Sequence, residues 1–552
     1  MFTKFSLSLN QQVRRFTTFN SKLNKCSSID PNLLDQALKK LYAEYVSIPI
    51  VIGNQMIFTG DEQNLRMPHN HRRVVAKYYY ATKNHINLAI QKAIKVQESW
   101  SCVDVKTRSN IFHKTANTLS DIDKKADLMS AIMLSQAKTK QDAEKDVSNL
   151  ILMLRTNADA LIQLSELKLP TISEKLKIRY LLRPLDGFVA ATGPLYMSWI
   201  AANLALTPLL MGNSVLWRPP ANCVLTSFII FKAIIGAGIP RGALQFLPSN
   251  YKLFFNTVIK SNDLAGINYA GRVTTLRTLW HDLSIRLPHY KCFPRLVGEC
   301  DSKGFHFVHE SADIDLVVDR TVQATFRYSG QRTYSCARFY VPKTLWPKLC
   351  CQLQSEVQAL KIGDPTDENS YASAIVREDI YDDVVSFLEY AKCNENVEIL
   401  MGGNYTKTHG FFIEPTIVVC QDPNDRLMID DIMGPILSVY VYENNKLNEA
   451  LETVISSQKF GSCGAIFSSD NKISEQLLNK LRMTASNLYV NEQCSGQDIS
   501  HLPLSGNRLS GTNDKNGSAY YLLRFAAPQL IEEPVKESVV KNEIENLNCS
   551  CS

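Results

Sequence analysis

Short apolar runs alternate with helix-like segments between residues 185 and 271, and this alternation constrains the fold more than any other feature. One helix pattern begins near Ile200, and a second runs from Val224 to Ala237, where Gly238 ends it. The strand-like runs are one that ends at Ala191 and those at 214–218, 243–247 and 265–271. Strands that alternate with helices of about 10–15 residues indicate βαβ units in a parallel sheet. The predicted fold class is therefore α/β.

Three turns directly follow these predicted strands, namely Gly193-Pro194, Arg218-Pro219 and Gly271. Ligands of parallel sheets bind beyond the carboxyl ends of the strands. A ligand site is therefore expected at these turns. Gly271 is equally compatible with a simple strand-to-helix turn.

The composition fits a globular protein with two or three domains, because 45% of the 552 residues are hydrophobic. No window approaches about 18 uninterrupted apolar residues, so neither a membrane span nor a membrane partner is expected. Residues 1–29 carry five Lys and Arg and no acid, which is typical of a mitochondrial transit peptide; a disordered basic arm is the alternative. Removing those five leaves 55 basic against 54 acidic residues, so no nucleic-acid partner is indicated.

The first third of the chain is predicted to change from irregular to helical structure. Residues 30–80 contain Pro and Gly interruptions and are expected to be irregular. Apolar periodicity then predicts helices that begin near Asn84 and cover 110–134 and 144–166. Ile122 is placed on the apolar face of the second helix.

The 14 cysteines are scattered through the chain, without a CxxC pair or a His cluster at metal-ligand spacing. Most are expected to be reduced thiols that pack as small buried side chains. The spacings predict no metal site.

Residues 294–338 contain the pattern that points to chemistry. The run GECDSKGFHFVH places Glu299 in an apolar strand, and Gly330-Gln331-Arg332 follows 31 residues later, before Thr333. This segment resembles the core of the NAD-dependent aldehyde dehydrogenases, most closely the glutamate-γ-semialdehyde (1-pyrroline-5-carboxylate) dehydrogenases. Those proteins read GECGGKNFHFVH, and later GQ, Lys or Arg, the nucleophilic Cys and SACSR.

The resemblance covers about residues 30–535 and includes LKIGDP, GFFIEPTIV, DDIMGPILSVYVY and SGTNDK. It implies an aldehyde dehydrogenase fold, an α/β architecture with NAD as cofactor in a homodimer or larger homo-oligomer of the mitochondrial matrix. Co-assembly with an active relative is a further expectation. The implied parts are a Rossmann-like cofactor domain at 30–298 with a β arm near 175–190, an α/β catalytic-type domain at 299–480, a substrate loop and oligomerisation strand at 481–535, and a polar tail at 536–552.

The resemblance also assigns catalytic positions. Glu299 corresponds to the general base that activates water, with an ion-paired core glutamate as the alternative. Thr333 occupies the position of the nucleophilic Cys, and a hydroxyl is a weak nucleophile without a strong neighbouring base. Tyr196 occupies the position of the asparagine in S-P-F-N-F, whose amide stabilises the tetrahedral intermediate. Cys336, about one helical turn beyond Thr333, is expected to pack rather than to replace the nucleophile.

Five positions correspond to the cofactor site of the family. Gly193 lies in the turn after the first predicted strand, and Arg218 replaces the ribose-binding Lys of L-W-K-P-S. Gly271 matches the glycine of F-T-G-S, where the backbone approaches the pyrophosphate, and Arg272 replaces the following Ser. Asp431 replaces the Glu that binds the nicotinamide ribose. These changes predict weakened binding of NAD.

The substrate site differs as well. Tyr334 replaces a small Ser beside the nucleophile position. In the loop that grips the substrate carboxylate, the family's T-G-S becomes Ser495-Gly496-Gln497. Substrate specificity is therefore predicted to have changed.

Two functions remain open on these residues. The first is a pseudoenzyme with a structural or partner-binding role, because nucleophile, oxyanion donor and carboxylate loop are all altered. The second is an active dehydrogenase that oxidises glutamate semialdehyde to glutamate with an altered nucleophile, supported by the retained Glu299 and Gly271.

Overall fold

The computed structural model describes residues 29–166, 176–194, 196–457, 459–495 and 504–534. Its helices are α1 (Pro31–Ala43), α2 (Lys83–Ser101), α3 (Val105–Ser120), α4 (Ile122–Gln136), α5 (Lys140–Ser165), α6 (Ser198–Leu210), α7 (Val224–Ala237), α8 (Tyr251–Val258), α9 (Val273–Arg286), α10 (Ile314–Phe326), α11 (Trp346–Gln358), α12 (Glu378–Cys393), α13 (Arg426–Ile429), α14 (Leu447–Ser457), α15 (Asn471–Leu481) and α16 (Ala519–Leu523). None of these described helices is long and apolar enough to cross a membrane. The predicted transit peptide, apart from Ile29, and the predicted tail lie outside the described residues.

The strands of the described ranges are β1 (Val46–Ile48), β2 (Ile50–Ile52), β3 (Gln55–Ile57), β4 (Glu62–Met67), β5 (Asn70–Tyr79), β6 (Leu176–Pro184), β7 (Phe188–Thr192), β8 (Val215–Arg218), β9 (Leu244–Phe246), β10 (Leu264–Ala270), β11 (Arg295–Glu299), β12 (Gly304–Val308), β13 (Cys336–Pro342), β14 (Val397–Met401), β15 (Tyr405–Thr406), β16 (Phe412–Ile413), β17 (Thr416–Cys420), β18 (Ile436–Tyr442), β19 (Phe460–Gly461), β20 (Cys463–Phe467), β21 (Asn487–Val490), β22 (Asn507–Arg508) and β23 (Ala526–Pro534).

The first large sheet has the strand order β11-β10-β7-β8-β9-β2-β3. The strands from β11 to β9 run parallel, and helices α6 to α9 connect them in the chain. This confirms the predicted βαβ units, and Gly238, with φ 123°, caps the end of α7 as expected. The carboxyl ends of β7, β8, β10 and β11 therefore lie along one edge of the sheet.

The second large sheet has the order β14-β17-β18-β13-β12-β20-β21, and it is parallel except for β14. Only residues 300–303 separate β11 of the first sheet from β12 of the second. The carboxyl end of β11, at Glu299, thus lies next to the amino end of β12. This short connection brings the edges of the two sheets together.

The prediction that residues 30–80 are irregular is wrong, because this region forms α1 and the strands β1 to β5. Gly53, with φ 60°, lies in the turn between β2 and β3, which pair antiparallel. Pro68 lies in the turn between β4 and β5. The Gly and Pro residues therefore mark hairpin turns, and β1 to β3, with three residues each, are too short to show a periodic pattern. The prediction also missed the longer elements α1, β4 and β5.

The single helix predicted over 110–134 is two helices, which meet at Asp121. The Asp121 carboxylate accepts a hydrogen bond from the N–H of Lys124 and caps the start of α4. Ile122 is 41% exposed, in contrast to its predicted burial. The helices predicted from Asn84 and over 144–166 are confirmed as α2 and α5.

Strands β6 and β23 form a two-stranded antiparallel ribbon, in which residues 176–184 pair with residues 526–534. Leu181 is 41% exposed and Leu530 is 51% exposed on this ribbon. A two-stranded ribbon is marginally stable in water on its own, so apolar side chains on it favour contact with another surface.

Candidate active site

A cavity of about 300 Å³ lies where the edges of the two sheets meet. Its lining combines turns after β7, β8 and β10 with Glu299, the loop before β13 and the loop before β18. The predicted site residues that line it are Gly193, Tyr196, Arg218, Gly271, Arg272, Glu299, Thr333 and Asp431. Tyr334 reaches Glu299 from beside the cavity, whereas Gly496 and Gln497 lie outside the described residues.

The hydroxyl of Thr333 is hydrogen-bonded to the phenol of Tyr196, with 2.6 Å between the two oxygens. Burial raises the pKa of Tyr196, so the phenol is neutral at physiological pH. The nucleophile position and the oxyanion-donor position therefore hold two neutral hydroxyl groups that satisfy each other.

The turn that presents Thr333 is fixed by its backbone. Gly330 has φ 67°, and a Cβ atom there would lie 2.3 Å from the carbonyl oxygen of Gly434, so only glycine fits. The side chain of Gln331 accepts the N–H of Val376 at 2.7 Å and donates to the carbonyl oxygen of Tyr328 at 3.2 Å. The altered residue thus lies on an intact scaffold.

Glu299 accepts a hydrogen bond from a neighbouring phenol. The hydroxyl of Tyr334 donates to its Oε1 atom. Burial raises the pKa of Glu299, and this hydrogen bond, followed by the side chain of Asn516, opposes the shift. Tyr334 is itself buried, so water does not compete for its hydroxyl and the hydrogen bond to Glu299 is retained. A general base must be able to accept a proton from water, and in this site the phenol of Tyr334 already bonds one of the two carboxylate oxygens.

The loop that carries Tyr196 is anchored by a buried ion pair. Asp146 on α5 pairs with Lys138, and both side chains are at most 5% exposed. The Asp146 carboxylate also accepts the N–H groups of Ser198 at 3.4 Å and Trp199 at 3.1 Å. It therefore caps α6 two residues after Tyr196.

Arg218 extends from the end of β8 into the cavity wall. Its Nε atom donates to the carbonyl oxygen of Ser249 at 3.0 Å, and its Nη1 atom donates to the Thr192 hydroxyl at 3.2 Å. The guanidinium also lies 5.5 Å from the centre of the Tyr251 ring. Two of its nitrogens are thus committed to the protein, which leaves Nη2 for a ligand.

Gly271 and Arg272 lie where β10 leads into α9. Gly271 has φ 157°, and a Cβ atom there would lie 2.4 Å from the hydroxyl oxygen of Tyr269. The glycine is therefore required by the packing of Tyr269. Arg272 forms an ion pair at 3.1 Å with Asp383 on α12, so it links the two sides of the cavity.

Asp301 is a site residue that the sequence reasoning missed. Its Oδ2 atom accepts the N–H of Val273, the first residue of α9, at 3.0 Å. It therefore occupies the helix N-terminus, a position that favours anions. Burial, followed by repulsion from Asp301, raises the pKa of Asp431, which also lines the cavity. The sequence does contain a sign that this position has changed, since Asp301-Ser302 replaces Gly-Gly in the family's GECGGKNFHFVH.

Cys336 does not line the cavity, as expected, although it begins strand β13 rather than lying on a helix. Its thiol donates to the carbonyl oxygen of Arg338 at 3.4 Å. This position outside the cavity lining is consistent with the prediction that Cys336 does not replace the nucleophile.

Comparison with known proteins gives consistent matches. The pattern of the Aldehyde dehydrogenase family matches residues 59–531. The chain is 38% identical over 502 residues to the mitochondrial Delta-1-pyrroline-5-carboxylate dehydrogenase of Danio rerio, covering 91% of this chain and 90% of the relative. It is also 38% identical over 511 residues to the protein of that name from Homo sapiens, covering 92% and 90%.

The fold matches solved structures equally well. The crystal structure of the Delta-pyrroline-5-carboxylate dehydrogenase from Mycobacterium tuberculosis bound with NAD has a TM-score of 0.88 and 29% identity, and the match covers 93% of this chain and 95% of that one. The 1-pyrroline-5-carboxylate dehydrogenase from Thermus with bound NAD has a TM-score of 0.84 at 23% identity, covering 91% and 96%, which supports the fold alone. The two sheets, the cavity at their junction and the match over residues 59–531 show that the chain belongs to the aldehyde dehydrogenase family.

Proposed function

We propose that this chain is a glutamate-γ-semialdehyde (1-pyrroline-5-carboxylate) dehydrogenase-like protein of proline catabolism whose catalysis is impaired, and that it acts as a pseudoenzyme with a structural or partner-binding role. The observation that carries the proposal is the pair of hydrogen bonds Tyr196–Thr333 and Tyr334–Glu299. The names of the relatives support the substrate class.

Aldehyde oxidation in this family needs a thiolate that attacks the carbonyl carbon, a donor for the resulting oxyanion and a base that activates water. In this chain Thr333 supplies a hydroxyl instead of a thiolate. The phenol of Tyr196 bonds that hydroxyl instead of an oxyanion, and Tyr334 holds the carboxylate of Glu299. Each requirement of the reaction is therefore impaired by a different residue.

The alternative function is an active dehydrogenase that uses the Thr333 hydroxyl. The 2.6 Å contact with Tyr196 favours it, because a tyrosinate could remove the hydroxyl proton. However, burial raises the pKa of Tyr196, and a neutral phenol is a poor base. We therefore favour the pseudoenzyme.

The purified protein is expected to show no NADH formation above background with glutamate semialdehyde and NAD. The Homo sapiens relative, assayed in parallel, provides the positive control. Turnover that Glu299→Gln abolishes would contradict the proposal, because it would show that Glu299 still acts as a base despite its bond to Tyr334.

We propose NAD as the cofactor of this site, with weakened binding. When bound, NAD accepts the hydride from the aldehyde carbon. The residues fit it only in part. Arg218 offers one free guanidinium nitrogen to a ribose or phosphate oxygen, whereas Asp301 occupies the N-terminus of α9, the position favourable to a pyrophosphate. The second carboxylate, Asp431, adds less repulsion than a fully charged group, because burial raises its pKa to about 7.

We expect the wild-type protein to bind NAD with a Kd of about 100 μM or weaker. Asp301→Asn should tighten binding about 10-fold, because it removes the charge and keeps an acceptor for Val273; such a change corresponds to about 1.4 kcal/mol. Isothermal titration calorimetry measures both values. Glu395→Gln removes an exposed charge outside the cavity lining and should leave Kd unchanged. Low-micromolar binding by the wild type would contradict the expectation.

We infer that the chain functions in mitochondria and propose the matrix as its compartment. The Danio rerio and Homo sapiens relatives are named as mitochondrial proteins, and residues 1–29 have the composition of a transit peptide. We also propose the domain division at 298/299, which falls one residue before the end of β11, the last strand of the first sheet in chain order.

The β6–β23 ribbon is proposed to pair subunits, so the protein should be a dimer or larger homo-oligomer. Exposed Leu181 and Leu530 on a two-stranded ribbon would otherwise remain in water. Light scattering at micromolar concentration should give at least twice the chain mass. Leu181→Asp with Leu530→Asp should lower that mass, whereas the exposed Met483→Asp, outside the ribbon, should not. A strictly monomeric wild type would contradict this and also exclude co-assembly with an active relative through the ribbon.

A further inference from the structure

Four metal-ligating side chains meet inside the second sheet, away from the cavity lining. They are His306 on β12, Cys336 at the start of β13, Cys463 at the start of β20 and Cys494 just after β21, and all four are buried. We call them the thiol cluster. The ligating atoms of His306, Cys336 and Cys494 all lie within 4.8 Å of one another. Cys463 is not one of these three; its sulfur would lie 2.8 Å from a Cβ atom on Gly304, the residue opposite Cys336, so it lies at the same edge of the sheet.

The register of the sheet explains why these side chains converge. Gly304 on β12 lies opposite Cys336 on β13, and Phe305 lies opposite Gly464 on β20. Cys336 and Cys463 thus flank Gly304 at the amino edge of the sheet. A Cβ atom on Gly304 would lie 2.8 Å from the sulfur of Cys463. The missing side chain at 304 therefore leaves the space that the sulfur atoms occupy.

The imidazole of His306 is oriented for coordination. Its Nε2 atom accepts the N–H of Cys494 at 3.1 Å, so Nδ1 carries the proton and donates to the hydroxyl of Thr321 at 2.9 Å. A hydrogen bond from the distal nitrogen is the usual support of a metal-binding histidine. The lone pair of Nε2 points toward Cys494, on the side where the thiols lie.

The thiols have weak partners in the absence of an ion. Cys336 donates to the carbonyl oxygen of Arg338 at 3.4 Å, and Cys494 donates to that of Tyr334 at 3.6 Å. Tetrahedral Zn²⁺ with bonds to sulfur of about 2.3 Å holds its ligand atoms about 3.8 Å apart. The ligating atoms of His306, Cys336 and Cys494 therefore need to approach one another by about 1 Å at most to reach that geometry, and Cys463 must move closer to complete it.

We propose that the thiol cluster binds a thiolate-preferring divalent ion of the Zn²⁺ type, with Cys336, Cys494 and His306 as ligands and Cys463 as the fourth. On binding, the three thiols release their protons to solvent, and the ion replaces the N–H of Cys494 at the Nε2 lone pair. No electron transfer is involved. The ion would join the strand that follows Thr333 to the segment that precedes Gly496, and it would stabilise this junction.

Cobalt is the probe, because Co²⁺ bound by thiolates absorbs visible and near-ultraviolet light. Titration of the reduced full-length protein is expected to show one tetrahedral Co²⁺ per chain, and one equivalent of Zn²⁺ should remove its absorption. Elemental analysis of the protein purified without chelator should find zinc at about one per chain.

Cys494→Ser is expected to weaken Co²⁺ binding at least about 100-fold, since it removes a direct ligand. Cys420→Ser, a buried cysteine at the end of β17 outside the cluster, should leave binding unchanged. If Cys494→Ser fails to fold by circular dichroism, His306→Gln replaces it in the comparison. Absence of the cobalt absorption, its persistence in the ligand variants, or a Cys336–Cys494 disulfide in metal-free protein would overturn the proposal.

Discussion

Thr333→Cys alone is expected to leave NAD-dependent oxidation of glutamate semialdehyde about 10⁴-fold or more below that of an active relative. The new thiol would still face the phenol of Tyr196, which occupies the position of the oxyanion donor. Loss of one such donor typically costs about 10²–10³ in rate. Tyr334 would still hold Glu299 and crowd the substrate, and misplacement of a reacting atom by ~1 Å can cost about 100-fold. The two losses multiply if they are independent.

A combined variant tests whether activity returns when the other altered positions are restored together with the nucleophile. This variant carries Tyr196→Asn, Thr333→Cys, Tyr334→Ser and Gln497→Ser. It should recover far more activity than Thr333→Cys, because it restores the oxyanion donor, the nucleophile, the space for the substrate and the contact with the substrate carboxylate. The matched control carries the other three changes and keeps Thr333, and it should be inactive. Initial rates of NADH formation at saturating NAD measure all three. Substantial activity of Thr333→Cys alone would show that the pocket is still built for catalysis.

Asp146→Asn is expected to destabilise the fold by about 3–5 kcal/mol, because it leaves the Lys138 ammonium as an unpaired buried charge. Lys138 lies 4.7 Å from the centre of the Tyr328 ring, which compensates only a small part of the loss. The substitution keeps the size of the side chain and an acceptor for the N-terminus of α6. The midpoint of the first transition in urea unfolding measures the effect.

The matched control is Glu368→Gln, which breaks an ion pair of the same kind on the surface. Glu368 pairs with Lys140 at 2.8 Å, and its side chain is 76% exposed. Water solvates both charges there, so the urea midpoint should not change measurably. Equal midpoints for the two variants would mean that the Lys138–Asp146 pair contributes no more than a solvated one.

The sequence by itself determined the parallel part of the first sheet and the altered residues of the site. Alternating apolar runs and helix patterns specified parallel βαβ units, because each segment is long enough to show its own period. Gly330, Thr333 and Tyr196 were identified from the resemblance to the aldehyde dehydrogenase family, because each lies in a motif that is contiguous in sequence. The sequence reasoning failed over residues 30–80, where β1 to β3 have only three residues each and hairpin turns resemble a break in structure. It also missed the longer elements α1, β4 and β5.

The tertiary structure alone decided which partners the site residues have. Tyr334 bonds Glu299 from 35 positions away, and Asp301 reaches the N-terminus of α9 from 28 positions away. The ligating atoms of residues 306, 336 and 494 in the thiol cluster lie within 4.8 Å of one another, and the spacing of these residues matches no metal motif in the sequence. Strand register and the close approach of backbones at Gly304 bring these atoms together. Contacts of this kind depend on the positions of several strands at once, and the local sequence pattern around any one residue does not contain them.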